Sequence, residues 1–399
     1  MTRIGFAYNQ KPESTPATTA ADADDEPPST RRDHDSRTFD SPPSTSFAAR
    51  GGGTGLVAPP VPTLSDVYAE WDSAETIDAV AGALSAFGEI VRLEATADFP
   101  QRLRDARVDL VFNIAEGLYG PNREAHVPAI CEFFGIPYSG SDPFTLSLCL
   151  HKARTKQMLA AHGVPTPAFV LLETDAALEA LAAGRHAEGP AAAPEFPLFL
   201  KPVQEGSSKG ITERNFVRDA RELLARGREL LRDYAQPVLA EAYLPGAEFT
   251  CGVLGNGAQA RVLPPVAMRF ETLPAGAVPV YGFEAKWVWD TRERPLEIFE
   301  CPARVPAELL AAIEDVTLRA YHAVGCRDWA RIDVRLDAAG APHVIEINPL
   351  PGILPDPADN SCLPKAARAA GLSYDALIQS CLVHAAERQG VPLQRRSAE

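Results

Sequence analysis

The sequence has no run of about 18 apolar residues, the length a helix needs to cross a bilayer. Its opening, MTRIGFAYNQ, holds no long apolar stretch of the kind a secretory leader carries. Basic charge is not in surplus: 38 Lys and Arg stand against 53 Asp and Glu, for a net charge of −15. That argues against a nucleic-acid binder, which carries a broad positive footprint, but not against a phosphate ligand met by a few local cations. Cysteine is sparse, 7 in 399 residues, odd in number and without a Cys-x-x-Cys pair. A disulfide framework or a zinc site therefore does not fit, and scattered thiols suit a reducing cytoplasm. No glycine loop ends in Gly-Lys-Ser/Thr, so there is no Walker A phosphate loop, and no pattern argues for a Ser/His/Asp triad. What is present is a 46% hydrophobic content, enough for a large core divided over two or three domains.

RIGFAY predicts a first strand. Residues 11–62 follow, rich in Pro, Ser, Thr, Asp and Gly and without apolar periodicity, which predicts a disordered insertion in a strand-to-helix loop. SDVYAEWDSAETIDAVAGALSAFG then predicts a helix closed by Gly88, and EIVRLEA and VDLVFNIAE predict strands. Strands alternating with helices indicate a parallel α/β sheet. A helix is expected from Asp142, its N-cap, to Gly163, with Pro143 in the first turn. FPLFLKP and PVLAEAYL predict strands around a helix ending near Asp233. The C-terminal PKAARAAGLSYDALIQSCLVHAAERQG is helical with a break at Gly371.

RIDVRLDAAGAPHVIEINPLPG, residues 331–352, carries the first chemical signal. Ile332, Val334 and Leu336 alternate with Arg331, Asp333 and Arg335. After a Gly-containing turn, Ile345 and Ile347 alternate with Val344, Glu346 and Asn348. The period of two predicts a hairpin. With a loop at 338–341, Asp333 faces Glu346 and Arg331 faces Asn348. Facing carboxylates repel unless a cation lies between them. Asp, Glu and the Asn amide oxygen are the hard donors Mg²⁺ takes. An edge hairpin with a solvated polar face fits these two strands equally well.

KPVQEGSSKGI places Gly206, Ser207, Ser208 and Gly210 after a strand, a loop small enough to bring N–H groups to a phosphate. Lys201 ends that apolar strand, where burial without an anion is costly. Lys152 lies among apolar helix residues and Lys286 among aromatics. Glu241 ends a strand before Ala242, Tyr243 and Leu244, a run able to offer backbone and carboxylate hydrogen bonds to an adenine. Glu248 follows a Pro-Gly turn and is suited to a ribose. Singly, a turn, a snorkelling lysine or a cation–π contact explains each.

Together, and in order, IPYSGS followed by Lys152, KPVQEGSSKG, EAYLPGAEFTCGVLG, FEAKW, RIDVRLDAAG, VIEINPLPG and SCLPKAARAAGLSYDALI resemble the D-alanine–D-alanine ligase family of ATP-grasp enzymes over about residues 65–390. The resemblance implies an α/β ATP-grasp fold. It implies an N-terminal α/β domain of residues 1–10 and 63–140, a central subdomain of 141–250 and a C-terminal subdomain of 251–392. It implies an ATP-dependent carboxylate–amine ligase of peptidoglycan synthesis that works through an acyl phosphate. Lys152, Lys201, Ser208 and Lys286 would contact the nucleotide, Glu241, Ala242 and Leu244 the adenine, and Glu248 the ribose. Asp333, Glu346 and Asn348 would bind two Mg²⁺ ions, with Mn²⁺ as a substitute. Arg331, the Gly352 backbone and Ser207 would serve the reacting groups, with Ser207, Ser361 and Glu116 at the amino-acid pocket. The implied partners are small amino-acid substrates, with no nucleic acid and no membrane, and the family commonly forms homodimers.

The sequence departs from the family at several points. Glu116 stands where the family has a histidine, which disfavours a bare carboxylate there unless Arg123 compensates. Trp287 replaces the lid tyrosine. PLPGILPDPADNSCLP is longer than its family counterpart. The N-terminal substrate-orienting glutamate is matched equally by Glu70, Asp72 or Glu75. Ligation of other amino acids or amines is the alternative to D-alanine, and a non-catalytic nucleotide-binding protein is the alternative of a different class.

Overall fold

The computed structural model describes residues 2–12, 68, 70–185, 194–274, 276–282 and 296–396. The expected insertion lies outside them apart from its first two residues, as do Lys286 and Trp287. Strand β1 (Thr2–Tyr8) is the centre of a parallel sheet with β2 (Gly88–Glu94) and β3 (Leu110–Asn113), in the order β2-β1-β3. Helices α1 (Ala74–Leu84), α2 (Phe99–Ala106) and α3 (His126–Phe134) accompany it.

Helix α1 is shorter than its apolar period suggests. Ser73 caps it by accepting from the Thr76 N–H. Just before it, the chain is strapped to the end of β1: Asp72 N–H donates to Asn9 O at 3.0 Å and Lys11 N–H to Asp72 O at 2.8 Å. These bonds hold residues 70–72 outside the helix. Gly88 does not close the helix but opens β2, where a Cβ would lie 2.0 Å from Thr2 O.

The helix expected from Asp142 to Gly163 is two, α4 (Pro143–Leu150) and α5 (Lys152–Ala161). Asp142 caps the first as expected, accepting from Thr145 N–H at 2.8 Å. The break is at His151, with φ −93° and ψ 89°, and it lets Lys152 N–H bond to Val203 O at 3.0 Å.

A four-stranded antiparallel sheet follows, built from β4 (Phe169–Leu172), β5 (Leu198–Pro202), β6 (Phe216–Val217) and β7 (Val238–Ala242), in the order β4-β7-β5-β6. Helices α6 (Asp175–Ala182) and α7 (Ala220–Tyr234) cover one face, with Leu178, Leu181, Leu223 and Leu230 packed on Leu198, Leu200 and Val238. The third sheet holds β8 (Glu248–Leu254), β9 (Arg261–Val262), β10 (Val266–Met268), β11 (Phe299–Glu300), β12 (Trp329–Leu336) and β13 (Pro342–Asn348). Its order is β11-β10-β8-β12-β13, with β9 on β8. Helix α8 (Ala307–Ala323) packs on it through Ile313, Val316 and Tyr321. Helix α9 (Cys362–Ala369) precedes α10 (Tyr374–Gln389), with Gly371 at the break as expected, and α10 packs against α1.

The hairpin has the expected pairs, Arg331 with Asn348 and Asp333 with Glu346. It reaches them by a different route. Leu336 pairs with Pro342, so the turn is residues 337–341, and a bulge at Ile345 restores the register. Val344 is consequently buried at 0% exposure rather than on the polar face, and Ile345 lines the cleft with Glu346. All seven cysteines are free thiols. Among the described residues no helix is long and apolar enough to cross a membrane.

Candidate functional site

One cleft, of ≈ 310 Å³, is lined by every described site residue named from the sequence; Lys286 lies outside the described residues. It also takes in Glu70 and Asp72 but not Glu75, which is exposed on α1.

The acids of the hairpin sit under two lysines. Lys152 opens α5, and its Nζ lies 2.8 Å from Glu346 Oε1 while donating to Glu205 O at 2.5 Å. The side chain is buried rather than snorkelling. Burial would raise the Glu346 carboxyl; Lys152 and Lys201 reverse that and hold it down at about 2. Asp333 accepts from Thr250 Oγ1 at 2.9 Å and from Arg331 at 3.2 Å. Burial, with Glu346 opposite, still pushes it up. Arg331 Nε is buried without a hydrogen bond.

This donor set fits a hard divalent cation. Two carboxylates face one another across a strand pair, and the one without a lysine partner resists ionisation. Asn348 turns its Oδ1 to the Leu350 N–H at 3.1 Å, which fixes the amide at the strand end. Among the described residues no group of three or more His, Cys, Asp or Glu converges as a metal cage, so these two acids need oxygens from a ligand or from Asn348.

Strands β5 and β7 bring Lys201 and Glu241 together. Lys201 Nζ is 2.6 Å from Glu241 Oε1, and Lys156 Nζ is 2.7 Å from Oε2. Burial would raise the Glu241 carboxyl, and the two lysines hold it below the usual range. Both oxygens are occupied, so the expected carboxylate contact to adenine would compete with two buried ion pairs. The N–H groups of Ala242 and Tyr243 are also used, by Ala168 O at 2.8 Å and Pro197 O at 3.0 Å. The Leu244 N–H has no partner among the described residues. Glu248 pairs with Arg335 at 2.8 Å, and Arg335 also bonds to Tyr243 Oη at 2.8 Å.

The small-residue loop is held in an unusual backbone shape. Ser207 and Ser208 have φ of 48° and 60°, left-handed values that side-chain-bearing residues rarely adopt. The N–H groups of Gly206, Ser207 and Ser208 have no partner among the described residues, which leaves a nest of amides for an anion. Lys209, next in the chain, pairs with Glu70 at 2.9 Å and Glu205 at 3.2 Å. Glu70 receives Arg123 as well, at 2.9 Å, so Arg123 does not pair with Glu116. Ser361 Oγ donates to Gly352 O at 3.2 Å and accepts from Leu354 N–H at 3.1 Å, so its hydroxyl braces the loop at the cleft edge. The Gly352 N–H has no partner among the described residues.

Lys156, Lys209 and Arg335 escaped the sequence reading. Lys156 was legible, since it stands one helical turn after Lys152 on the same face. Arg335 continues the polar alternation of Arg331 and Asp333. Nothing local marks Lys209.

A family model described as the D-ala D-ala ligase C-terminus matches residues 158–383. The D-alanine–D-alanine ligase of Bordetella petrii is 35% identical over 71% of this chain and 78% of its own. That of Ectopseudomonas mendocina is 33% identical over 78% of this chain and 90% of its own. The chain belongs to the D-alanine–D-alanine ligase family. Among solved structures, a D-alanine–D-alanine ligase from Bacillus anthracis shares the fold with a TM-score of 0.65 at 23% identity, covering 98% of this chain and 99% of that one. The same enzyme complexed with ATP gives 0.62 at 22%, with the same coverage. The ligase thus has the ATP-grasp fold, and its reaction is ATP-dependent formation of a C–N bond.

Proposed function

We propose that the ligase joins two amino acids, D-alanine or close analogues, by turning the carboxylate of one into an acyl phosphate that the amine of the other attacks. A carboxylate is a poor acyl donor because oxide would have to leave. Transfer of the γ-phosphoryl group releases ADP and supplies phosphate as the leaving group. The new C–N bond then forms as the C–O bond to phosphate breaks. Such a transfer needs positioning and charge neutralisation rather than a protein nucleophile.

The observation that carries this reading is Asp333 facing Glu346 beneath Lys152, with Lys201 and Arg331 in the same cleft. Lys152 and Lys201 meet the phosphates, with Lys286 joining them. Lys201 is held out by Glu241, whose part is to brace it. The amides of Ser207 and Ser208 cradle a phosphoryl oxygen, and Arg331 and the Gly352 N–H stabilise the charge that develops on transfer. The Leu244 N–H and the Ala242 backbone face the adenine, and Glu248 faces the ribose. Glu116 and Ser361 border the amino-acid pocket. Asp333, Glu346 and Asn348 hold Mg²⁺, two ions in all and replaceable by Mn²⁺, which when bound neutralises phosphate charge.

This reading divides the chain into an N-terminal domain to about residue 140, a central subdomain to about 250 and a C-terminal subdomain beyond. It places the reaction in the cytoplasm, on free amino acids and without nucleic acid, and leaves room for a homodimer.

The test is ADP release with Mg·ATP and a panel of amino acids, followed by mass spectrometry of the product. Amino-acid-dependent ADP and a new dipeptide are expected. Tight Mg·ATP binding with no turnover across the panel would make the chain a binding protein instead.

A further inference from the structure

Arg335 is a buried cation with no part in the chemistry proposed above. It stands directly across the strand pair from Glu248, β12 against β8, and its Nη1 donates to Glu248 Oε2 at 2.8 Å. Its Nη2 donates to Tyr243 Oη at 2.8 Å and to Pro279 O at 2.9 Å. The guanidinium carbon lies 4.8 Å from the centre of the Tyr243 ring and 5.3 Å from that of Phe270. Three acceptors and two rings hold this cation in one place.

The acid opposite is held as firmly. Glu248 spends Oε2 on Arg335, and its Oε1 makes no hydrogen bond among the described residues. The segment leading into Glu248 is fastened to the residue next to Arg335. Gly246 N–H donates to Leu336 O at 3.0 Å, and Leu336 N–H donates to Ala247 O at 2.9 Å. A Cβ on Gly246 would lie 2.6 Å from Leu336 Cβ, so this close approach needs glycine. Glu248 and Arg335 both line the cleft, and with Oε2 taken the acid offers a ligand one carboxylate oxygen instead of two.

We infer that Arg335 is a positioning residue that occupies one oxygen of Glu248, so that the cleft reads a single hydroxyl of a nucleotide's ribose. This inference rests on the reading of Glu248 as the ribose acid. Two free oxygens would accept from both hydroxyls of the sugar. A carboxylate fixed through Oε2 accepts from one of them through Oε1, and loss of the other hydroxyl then costs little.

The experiment is calorimetric titration of the full chain, in Mg²⁺, with ADP, 2′-deoxy-ADP and 3′-deoxy-ADP, on the wild type and on Arg335→Met. In the wild type one deoxynucleotide is expected to bind about tenfold more weakly than ADP, the scale of one hydrogen bond to a charged group, and the other within about threefold of ADP. Arg335→Met keeps a long side chain between the two rings and frees Oε2. It should bring the two deoxynucleotides to within about twofold of each other. A general loosening of the cleft would weaken all three nucleotides alike and leave their ratio unchanged, so the ratio separates positioning from a structural role. The inference is overturned if the wild type binds the two deoxynucleotides equally, or if Arg335→Met binds ADP and keeps the wild-type ratio. The wild-type comparison decides by itself if Arg335→Met does not fold. Absence of amino-acid-dependent ADP release would topple the ligase reading while the titration still reads the sugar, and a wild type that binds none of the three nucleotides would overturn both.

Discussion

Lys152 Nζ touches Glu346 Oε1 at 2.8 Å, joining the first residue of a helix to the far strand of the hairpin. The contact sets a positive charge beside one of two facing acids and keeps that acid ionised.

Glu346→Gln keeps the shape of the side chain but removes the charge that Lys152 pairs with and that the proposed metal site requires. Turnover should fall by about 10²-fold or more. Steady-state ADP release checks it, and near-normal activity would remove Glu346 from the machinery. Lys152→Met should raise the KM for ATP in the same assay.

Glu241 is a buried acid between two buried lysines. Glu241→Ala leaves Lys156 and Lys201 facing each other without a counter-charge, and should cost about 3–5 kcal/mol of stability. Urea denaturation measures the loss. A change below about 1 kcal/mol would mean that the lysines find other partners.

Asp328 has a φ of 65°, is fully buried, and accepts from Arg388 at 2.8 Å, Asn256 at 2.8 Å and the Gly140 N–H at 2.8 Å. It ties β12, α10 and the loop after α3 into one knot. Asp328→Ala should destabilise by about 3–5 kcal/mol because Arg388 loses its partner. Asp328→Asn should lose less, since asparagine tolerates the left-handed backbone. Equal melting temperatures for the two variants would contradict this.

Burial would raise the Glu70 carboxyl, but Arg123 and Lys209 bring it below its ordinary value. A depressed folded pKa gives stability that is complete above the unfolded pKa, about 4.3, and drains as pH falls through the folded value. The wild type should therefore melt above Glu70→Gln at neutral pH, and the gap should close below about pH 4. Calorimetric scans across that range test the sign; a gap that widens in acid would refute it.

The hairpin shows how far local reading reaches. Alternation put Asp333 opposite Glu346 correctly, yet it assigned Val344 to the wrong face, because a one-residue bulge leaves no mark in a period-two pattern. Asp142 was legible as a cap because capping needs only a residue three positions on. The break at His151 was not, because it follows from the bond between Lys152 N–H and Val203 O, in the turn after β5 and far along the chain.

Donor types were written in the residues themselves: three lysines, two facing acids and a small-residue loop are chemistry that side-chain identity and short spacing suffice to specify. Which acid meets which cation was settled only when the three sheets closed around one cleft. Of Glu70, Asp72 and Glu75, the first two line the cleft and Glu70 is the one that Arg123 and Lys209 reach, and both oxygens of Glu241 lie against lysines from other elements. Charge pairing depends on distance through space, and a sequence records only distance along the chain.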